Sequence, residues 1–247
     1  MHPSVESSLQ ASSIEQAFLK RAAHTYKWPS DIQMNNQTGM SVGDIGDRLD
    51  QGIQYRYSGA NWIPNSAGMV PIVPTGLSGT GVSMGGGGNI LAVNSPNWIA
   101  NGVFTSDFDW YRITGFMQFT AAMTAGINFN FTSGGVSDTA NSYFRTSLHS
   151  SGATVTANVA QSTTVPLSVQ AGAIHAMFSL DLYNPAKTGF TWGSFDTYFA
   201  ANPPSTTSAN GVSRGGLKFH GSTKFDGFRI GTAPAHDCNV RVFGYKF

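Results

Sequence analysis

Asp107 and Asp109 lie on either side of Phe108, and two acids at this spacing could form a paired-carboxylate site. Alternate residues of a β-strand point to one face, so these two acids could act as the acid and base of a glycosidase. The stretch from Thr105 to Asp109 is also typical of the start of a strand, and glycosidases usually carry their two acids on separate elements. A carbohydrate-active enzyme is therefore a less favoured interpretation than a structural or binding protein.

A second group of reactive side chains is the run His236-Asp237-Cys238. A Cys–His nucleophile pair is normally brought together from distant parts of a sequence, whereas these neighbours fall in a predicted turn. Cys238 is the single cysteine, which excludes an internal disulfide and a cysteine-based zinc site. The spacing of three between Asp44, Asp47 and Asp50 does not fit an EF-hand loop. We predict no catalytic residue, no metal site and no cofactor.

Aromatic residues offer a binding chemistry instead. Trp192 and Tyr198 lie close to a polar loop that begins near Asn202. Aromatic faces beside amide and hydroxyl groups can bind sugars or peptides. We predict Trp192, Tyr198 and Asn202 as ligand-binding residues, and core packing is the alternative explanation for the two aromatic residues.

The chain is poor in charge, and this restricts its partners. Its 247 residues include 11% charged residues and a net charge of +1, against about 25% charged residues in ordinary globular proteins. That balance argues against a nucleic-acid partner, and the sequence has no apolar run of about 20 residues that would span a membrane. Such a surface suits a subunit whose faces are covered, so we expect a homo-oligomer, specifically a trimer.

Residues 6–27 are the one window with helical periodicity. Its apolar stripe consists of Leu9, Ile14, Phe18, Leu19 and Ala22. The pair Trp28-Pro29 then ends the helix. We predict residues 1–30 as a docking segment in which Leu9, Ile14, Phe18 and Leu19 contact a larger assembly; packing on the chain's own β domain is the alternative.

The rest of the chain divides into three predicted regions. Residues 31–64 form a small β module, in which 53–57 and 62–63 alternate as the two arms of a hairpin. Residues 65–88 are a linker rich in glycine and proline; their glycine run lacks the Lys-Ser/Thr of a phosphate-binding loop. Residues 89–247 contain nine or ten short strands with turns between them, which favours a two-sheet sandwich.

Apolar residues of the two sheets should meet to form the core of this sandwich. The predicted core residues are Phe116, Phe119, Phe129, Phe131, Phe178, Leu180, Leu182, Phe228, Ile230, Val240 and Val242. Two strands are expected at 224–231 and 239–246, joined by a turn at 233–236. In the second of them Val240 and Val242 should point inward, and Arg241 and Phe243 outward.

These strands and turns resemble the C-terminal jelly-roll domain of bacteriophage virion appendages. The matching pieces are FNFTSGG at 129–135, SYFRTSL at 142–148, LYNPAKTGFTWGSF at 182–195 and VRVFGYKF at 240–247. The resemblance covers roughly residues 89–247. The earlier stretch GDIGD…GIQYRYSGANW is similar to a small β module of phage tail and fibre proteins.

The resemblance implies a jelly-roll β-sandwich. Together with the small β-hairpin module and the short N-terminal helix predicted above, it gives an all-β fold class. It implies a virion structural protein that is assembled in the host cytoplasm together with other virion proteins. The favoured role is a tail-fibre, baseplate or receptor-binding subunit that attaches to a host-surface glycan or protein. The alternative is a capsid decoration or head-fibre protein that stabilises the head.

Overall fold

The computed structural model describes residues 25–29, 33–34, 36–40, 45–48, 53–57, 62–64, 69–140, 142–151, 154–168, 172–200, 210–221 and 223–245. Nearly all of this structure is β-strand, which confirms the all-β class.

The predicted docking residues Leu9, Ile14, Phe18 and Leu19 lie outside the described residues. Thr25–Trp28 is a strand, so the helix prediction is wrong for the end of its window. Threonine and aromatic residues favour strands, and here that preference overrides the apolar periodicity.

The described residues form eighteen strands in chain order. They are β1 (Thr25–Trp28), β2 (Ile45–Arg48), β3 (Ile53–Tyr57), β4 (Trp62–Pro64), β5 (Val70–Ile72), β6 (Gly76–Ser78), β7 (Val82–Met84), β8 (Ile90–Asn101), β9 (Trp110–Phe119), β10 (Asn128–Ser133), β11 (Val136–Ser137), β12 (Tyr143–Ser151), β13 (Thr154–Ser162), β14 (Val165–Pro166), β15 (His175–Tyr183), β16 (Thr191–Ala200), β17 (Gly211–Phe219) and β18 (Gly227–Tyr245).

The chain divides into two compact units between Val70 and Pro71. In the first unit, β1 to β4 form one sheet in sequence order; β1 and β2 are parallel and the other pairs are antiparallel. The predicted hairpin is confirmed, because β3 pairs with β4. The rings of Tyr57 and Trp62 face each other across this pair with centroids 5.3 Å apart. Such cross-strand aromatic pairs stabilise a small sheet.

The second unit is built on one large sheet. Its strands follow the order β11-β10-β18-β9-β15-β16-β17-β12-β13, and each neighbouring pair is antiparallel. Strand β8 lies along the other side of β18 and pairs in turn with β6 and β7, while β14 pairs with β10. Consecutive positions of each strand therefore point alternately to the two faces of this sheet.

Strand β18 turns the corner between the two layers of the sheet. Residues 227–231 pair with β10, and residues 236–245 pair with β9. The register against β8 shifts on both sides of His236, and Asn94 of β8 takes a left-handed φ of 49° opposite the shift. Such bulges let one strand serve two packed layers. The predicted turn at 233–236 is therefore wrong: Pro234 lies in a bend of one continuous strand, where a missing N–H is tolerated.

Aromatic rings fill the space between the layers. Phe131 of β10 stacks on Tyr143 of β12, with ring centroids 6.0 Å apart, although these strands are far apart in the sheet order. The sheet must therefore curl until its ends face each other, as in the predicted jelly-roll sandwich. The other rings around Phe131 are Phe104, Phe129, Phe219 and Phe225. Full burial of each phenylalanine contributes about 1.5–3 kcal/mol.

All but one of the predicted core residues are buried, and the exception is Phe116. Phe116 is 44% exposed, while Phe119 on the same strand is buried. Residues three apart in a strand point to opposite faces, so both could not face the core. Gly115 takes the inward position instead, and the ring of Phe178 fills the space that a side chain there would need. Val240 and Val242 point inward as predicted.

The segment predicted as a linker, residues 65–88, contains strands in the structure. β6 and β7 both pair with β8, and Gly86–Gly88 forms a short 3-10 turn. A Cβ atom at Gly79 would lie 2.7 Å from the carbonyl oxygen of Asn97. This glycine therefore permits a close approach of two backbones, where the sequence suggested a flexible connector.

Candidate ligand-binding face

The large sheet has one face against the core and one face towards solvent. Along β15, Phe178, Leu180 and Leu182 are buried, whereas Met177 and Tyr183, which lie on either side of this run in the opposite phase, are exposed. The registers of β9, β15, β16, β17 and β12 align these alternating positions from strand to strand. We call the solvent side of these strands and of the second half of β18 the outer face.

A row of aromatic side chains crosses the outer face from strand to strand. Its members, the aromatic row, are five aromatic residues and one lysine, in the order Phe144, Lys218, Trp192, Tyr183, Trp110 and Tyr245, each opposite the next in the strand registers. Trp192 is 50% exposed and Trp110 is 37% exposed. Six strands at a spacing of about 4.8 Å make the row about 24 Å long. It therefore offers an extended surface of ring faces and edges rather than a closed pocket.

Contacts within the aromatic row hold its side chains in place. The Lys218 ammonium lies 4.3 Å from the ring centroid of Phe190 and 4.7 Å from that of Trp192. The rings of Trp110 and Tyr183 meet edge to face at 6.1 Å. A cation–π contact at an exposed site contributes about 0.5–1 kcal/mol. The rings are thus partly ordered before any ligand arrives, which lowers the entropy lost on binding.

Two ion pairs lie on the same face as the aromatic row, the first of them next to the row and the second further along the strands. Arg112 donates two hydrogen bonds to Asp181, of 2.7 and 2.8 Å, and these bonds raise the pKa of Arg112. Arg214 pairs with Asp196 at 2.6 Å and donates a 2.7 Å hydrogen bond to the Tyr198 hydroxyl. These two pairs add hydrogen-bonding groups to the face without adding net charge, and the Lys218 ammonium adds one positive charge to the aromatic row.

A shallow depression lies further along the same strands. It has a volume of about 360 Å³ and is lined by Thr114, Gly115, Phe116, Met177, Phe178, Ser179, Tyr198, Asn239 and Arg241. Tyr198 belongs to this depression, whereas Trp192 belongs to the aromatic row. Six residues along a strand span about 20 Å, so these two predicted residues do not form one compact site. The third, Asn202, lies outside the described residues.

Trp110, Tyr183 and Lys218 are absent from the predicted site. Tyr111 and Ile113 of β9 point inward, so Trp110, which directly precedes Tyr111, points outward. Alternation therefore carried a signal for its exposure. No sequence signal indicates that Trp110 aligns with Tyr183 and Trp192, because this alignment depends on registers between strands that are distant in sequence.

His236 has a structural position at the corner of β18. The indole N–H of Trp98 donates a 3.1 Å hydrogen bond to His236 Nε2, so the ring proton lies on Nδ1. Nδ1 lies 2.7 Å from the Thr232 hydroxyl, which in turn donates to the carbonyl of Pro234 at 2.8 Å. Burial lowers the pKa of His236 to about 4. The imidazole is therefore a neutral link between two strands.

The neighbours of His236 are likewise engaged in the fold. The Asp237 carboxylate accepts a 2.8 Å hydrogen bond from the backbone N–H of Asn94, where the register shifts. Cys238 is buried, and burial raises the pKa of its thiol to about 12. Side chains at 236 and 238 point to the core and Asp237 points outward, an arrangement that serves the bend rather than nucleophilic attack.

The aspartates at 107 and 109 have separate partners. The hydroxyl of Thr105 donates a 3.3 Å hydrogen bond to Asp107, whereas Asp109 forms an ion pair with Lys187. Phe108 between them is buried.

Across the part of the chain that the structure describes, no three His, Cys, Asp or Glu side chains lie close enough to hold a metal ion. Within the same residues, no helix has the length and apolar character needed to cross a bilayer.

Comparison with known proteins gives no family for the chain. No family model and no curated protein matches it. Among solved structures it is similar to a protein of unknown function from Shewanella oneidensis MR-1, with 10% identity, 71% of this chain and 79% of that chain covered and a TM-score of 0.22. The SPRY domain of human HERC1 gives 11% identity, coverage of 64% and 99%, and a TM-score of 0.25. The Emp47p carbohydrate recognition domain gives 6% identity, coverage of 74% of this chain and 97% of that chain, and a TM-score of 0.28.

Proposed function

We propose that this protein is a bacteriophage virion structural protein whose β-sandwich binds a glycan on the host surface. The aromatic row is the observation on which this proposal rests. Its rings lie half-exposed on the sheet, beside the ion pair of Arg112 and Asp181. Sugars present C–H faces that stack on aromatic rings and hydroxyl groups that hydrogen-bond to polar neighbours, so this chemistry fits a polysaccharide.

The virion setting is supported by the sequence. The pieces at 129–135, 142–148, 182–195 and 240–247 resemble strands and turns of phage appendage domains, and all four fall in or next to strands of the sandwich. A low content of charge also suits a subunit packed among other virion proteins. On this proposal the protein is not an enzyme, and it acts through the affinity of its outer face.

Binding of purified full-length protein to a panel of bacterial surface polysaccharides tests this function. Trp192→Ala should weaken binding at least about tenfold, which corresponds to about 1.4 kcal/mol. Met177→Ala is the matched control, because Met177 is 59% exposed on the same face but lies outside the aromatic row. Equal losses in the two variants, or no binding to any polysaccharide, would contradict the proposal.

The alternative function, a capsid decoration or head-fibre protein, is supported by the apolar part of the same face. Phe116 and Met177 are exposed around the depression and could pack against another virion protein. Imaging of whole particles separates the two functions. Subunits at a tail or fibre tip with the aromatic row outward support attachment, whereas subunits on the head with the outer face covered support decoration.

A further inference from the structure

We infer that β13 is a self-association edge, through which two copies of this chain pair antiparallel and continue the large sheet. β13 is the last strand of the sheet order, and within the described part of the chain it pairs only with β12. Its other side therefore presents a row of backbone N–H and C=O groups that another strand can pair with.

The edge strand is held by the sheet along its whole length. All nine residues of β13 are in register with β12, without a bulge. Arg145 of β12, which is 5% exposed, donates a 2.9 Å hydrogen bond to the Asn158 side chain of β13. This contact ties the strand to the sheet from the core side. A partner strand would thus bind an ordered template and would not have to order it first.

β13 lacks the features that usually prevent edge pairing. Residues 154–162 contain no charged residue, no proline and no glycine. Most of its side chains are exposed on both faces, including Val155 and Val159 at 67% and 80%. The described strand at the opposite end of the sheet, β11, has only two residues, and short edges recruit partners poorly.

A second copy fits this edge better than an unrelated strand, because the sequence matches itself about a two-fold axis. With Ala157 on the axis, Val155 of one copy lies opposite Val159 of the other on the outer side. Thr156 lies opposite Asn158 on the inner side. No like charges meet, and both valines gain an apolar neighbour.

The symmetry of this pairing has a functional consequence. Directly opposed residues of paired strands point to the same side, so the two outer faces would point in one direction. If the proposed glycan binding holds, the dimer presents two aromatic rows to one surface and gains avidity. The pairing gives a two-fold dimer, which differs from the trimer expected from the sequence.

Sedimentation of the full-length protein tests the pairing independently of any glycan. We expect a dimer at micromolar concentration, with Val159→Lys raising the dimer dissociation constant at least tenfold. Val136→Lys is the matched control, since Val136 is 71% exposed on the two-residue strand β11. A monomeric wild type, or an oligomer whose mass Val159→Lys leaves unchanged, would overturn the inference; loss of glycan binding with an intact dimer would overturn only the proposed function.

A cysteine cross-link tests the register. Ala157→Cys places two thiols at the two-fold axis, and mild oxidation should give a covalent dimer. Val136→Cys should stay uncross-linked. The native Cys238 does not compete, because it is buried and its thiol pKa is raised to about 12. Absence of a covalent Ala157→Cys dimer would overturn the pairing about Ala157.

Discussion

Both faces of the large sheet carry large apolar side chains, but only the inner face buries them. On β15 and β16 the inner residues Leu180, Leu182 and Phe195 are at most 3% exposed, whereas the outer residues Tyr183 and Trp192 are 41% and 50% exposed. Burial of the first group drives folding, since apolar area removed from water contributes about 25 cal/mol per Å². The second group leaves much of that area in water. The outer rings are thus available for binding, and we expect the fold to depend on them little.

The largest expected difference between the faces is at the end of β18. Val242→Asp places a carboxylate among buried apolar residues, at a cost of several kcal/mol against a net stability of about 5–15 kcal/mol. We expect unfolded or insoluble protein. The control is Arg241→Ala at the neighbouring position. Arg241 is exposed, and the hydrogen bond described for its side chain is the one it donates to Asn89. Equal melting temperatures would mean that the faces are assigned incorrectly.

A second comparison uses phenylalanine on both faces. Phe131→Ala leaves a cavity among five rings and should cost about 3–5 kcal/mol. Phe144→Ala, which removes a side chain 41% exposed in the aromatic row, should cost less than about 1 kcal/mol. Urea denaturation measures both. A Phe144→Ala variant as unstable as Phe131→Ala would show that the outer ring supports the fold.

The corner at His236 makes the core sensitive to pH. Its pKa is about 4 in the fold and about 6.5 in the unfolded chain, so between these values the unfolded state binds more protons. Stability is therefore full above pH 6.5 and falls as the pH drops towards 4, by up to about 3 kcal/mol. His236→Gln, which cannot be protonated, should flatten this dependence relative to the wild type. Parallel stability–pH curves would contradict it.

The ion pair on the outer face should matter little for stability. Arg112→Ala removes two hydrogen bonds to Asp181, but the Arg112 side chain is 41% exposed. An exposed pair contributes less than about 1 kcal/mol, even with bidentate geometry. A melting temperature within a few degrees of the wild type is expected. A loss comparable with that of Phe131→Ala would place the pair among the elements that hold the fold.

The difference between the faces also explains what the sequence could predict. Alternation placed Val240 and Val242 correctly, because local periodicity determines which face a residue joins. Phe116 was assigned to the core by its residue type, although its phase relative to Phe119 places it outside. The aromatic row joins residues from five strands between 110 and 218, together with Tyr245. Such an alignment depends on strand registers, which a single sequence does not specify.

The same limit applies to the corner of β18. Pro234 is an ordinary turn residue, and it indicates that the chain changes direction. It does not show that pairing with β8 resumes beyond the bend, which depends on contacts of His236 with Trp98 far away in sequence. Likewise, the separate partners of Asp107 and Asp109 became evident only from the structure.

The central claim is that the aromatic row binds a ligand without supporting the fold. The most direct test measures both properties of one variant, Trp110→Ala/Trp192→Ala, by thermal denaturation and by binding to the polysaccharide that the wild type recognises. The account predicts a melting temperature within a few degrees of the wild type and a loss of binding of at least about a hundredfold, which corresponds to about 2.7 kcal/mol. Unchanged binding, or a loss of binding that accompanies unfolding, would contradict it.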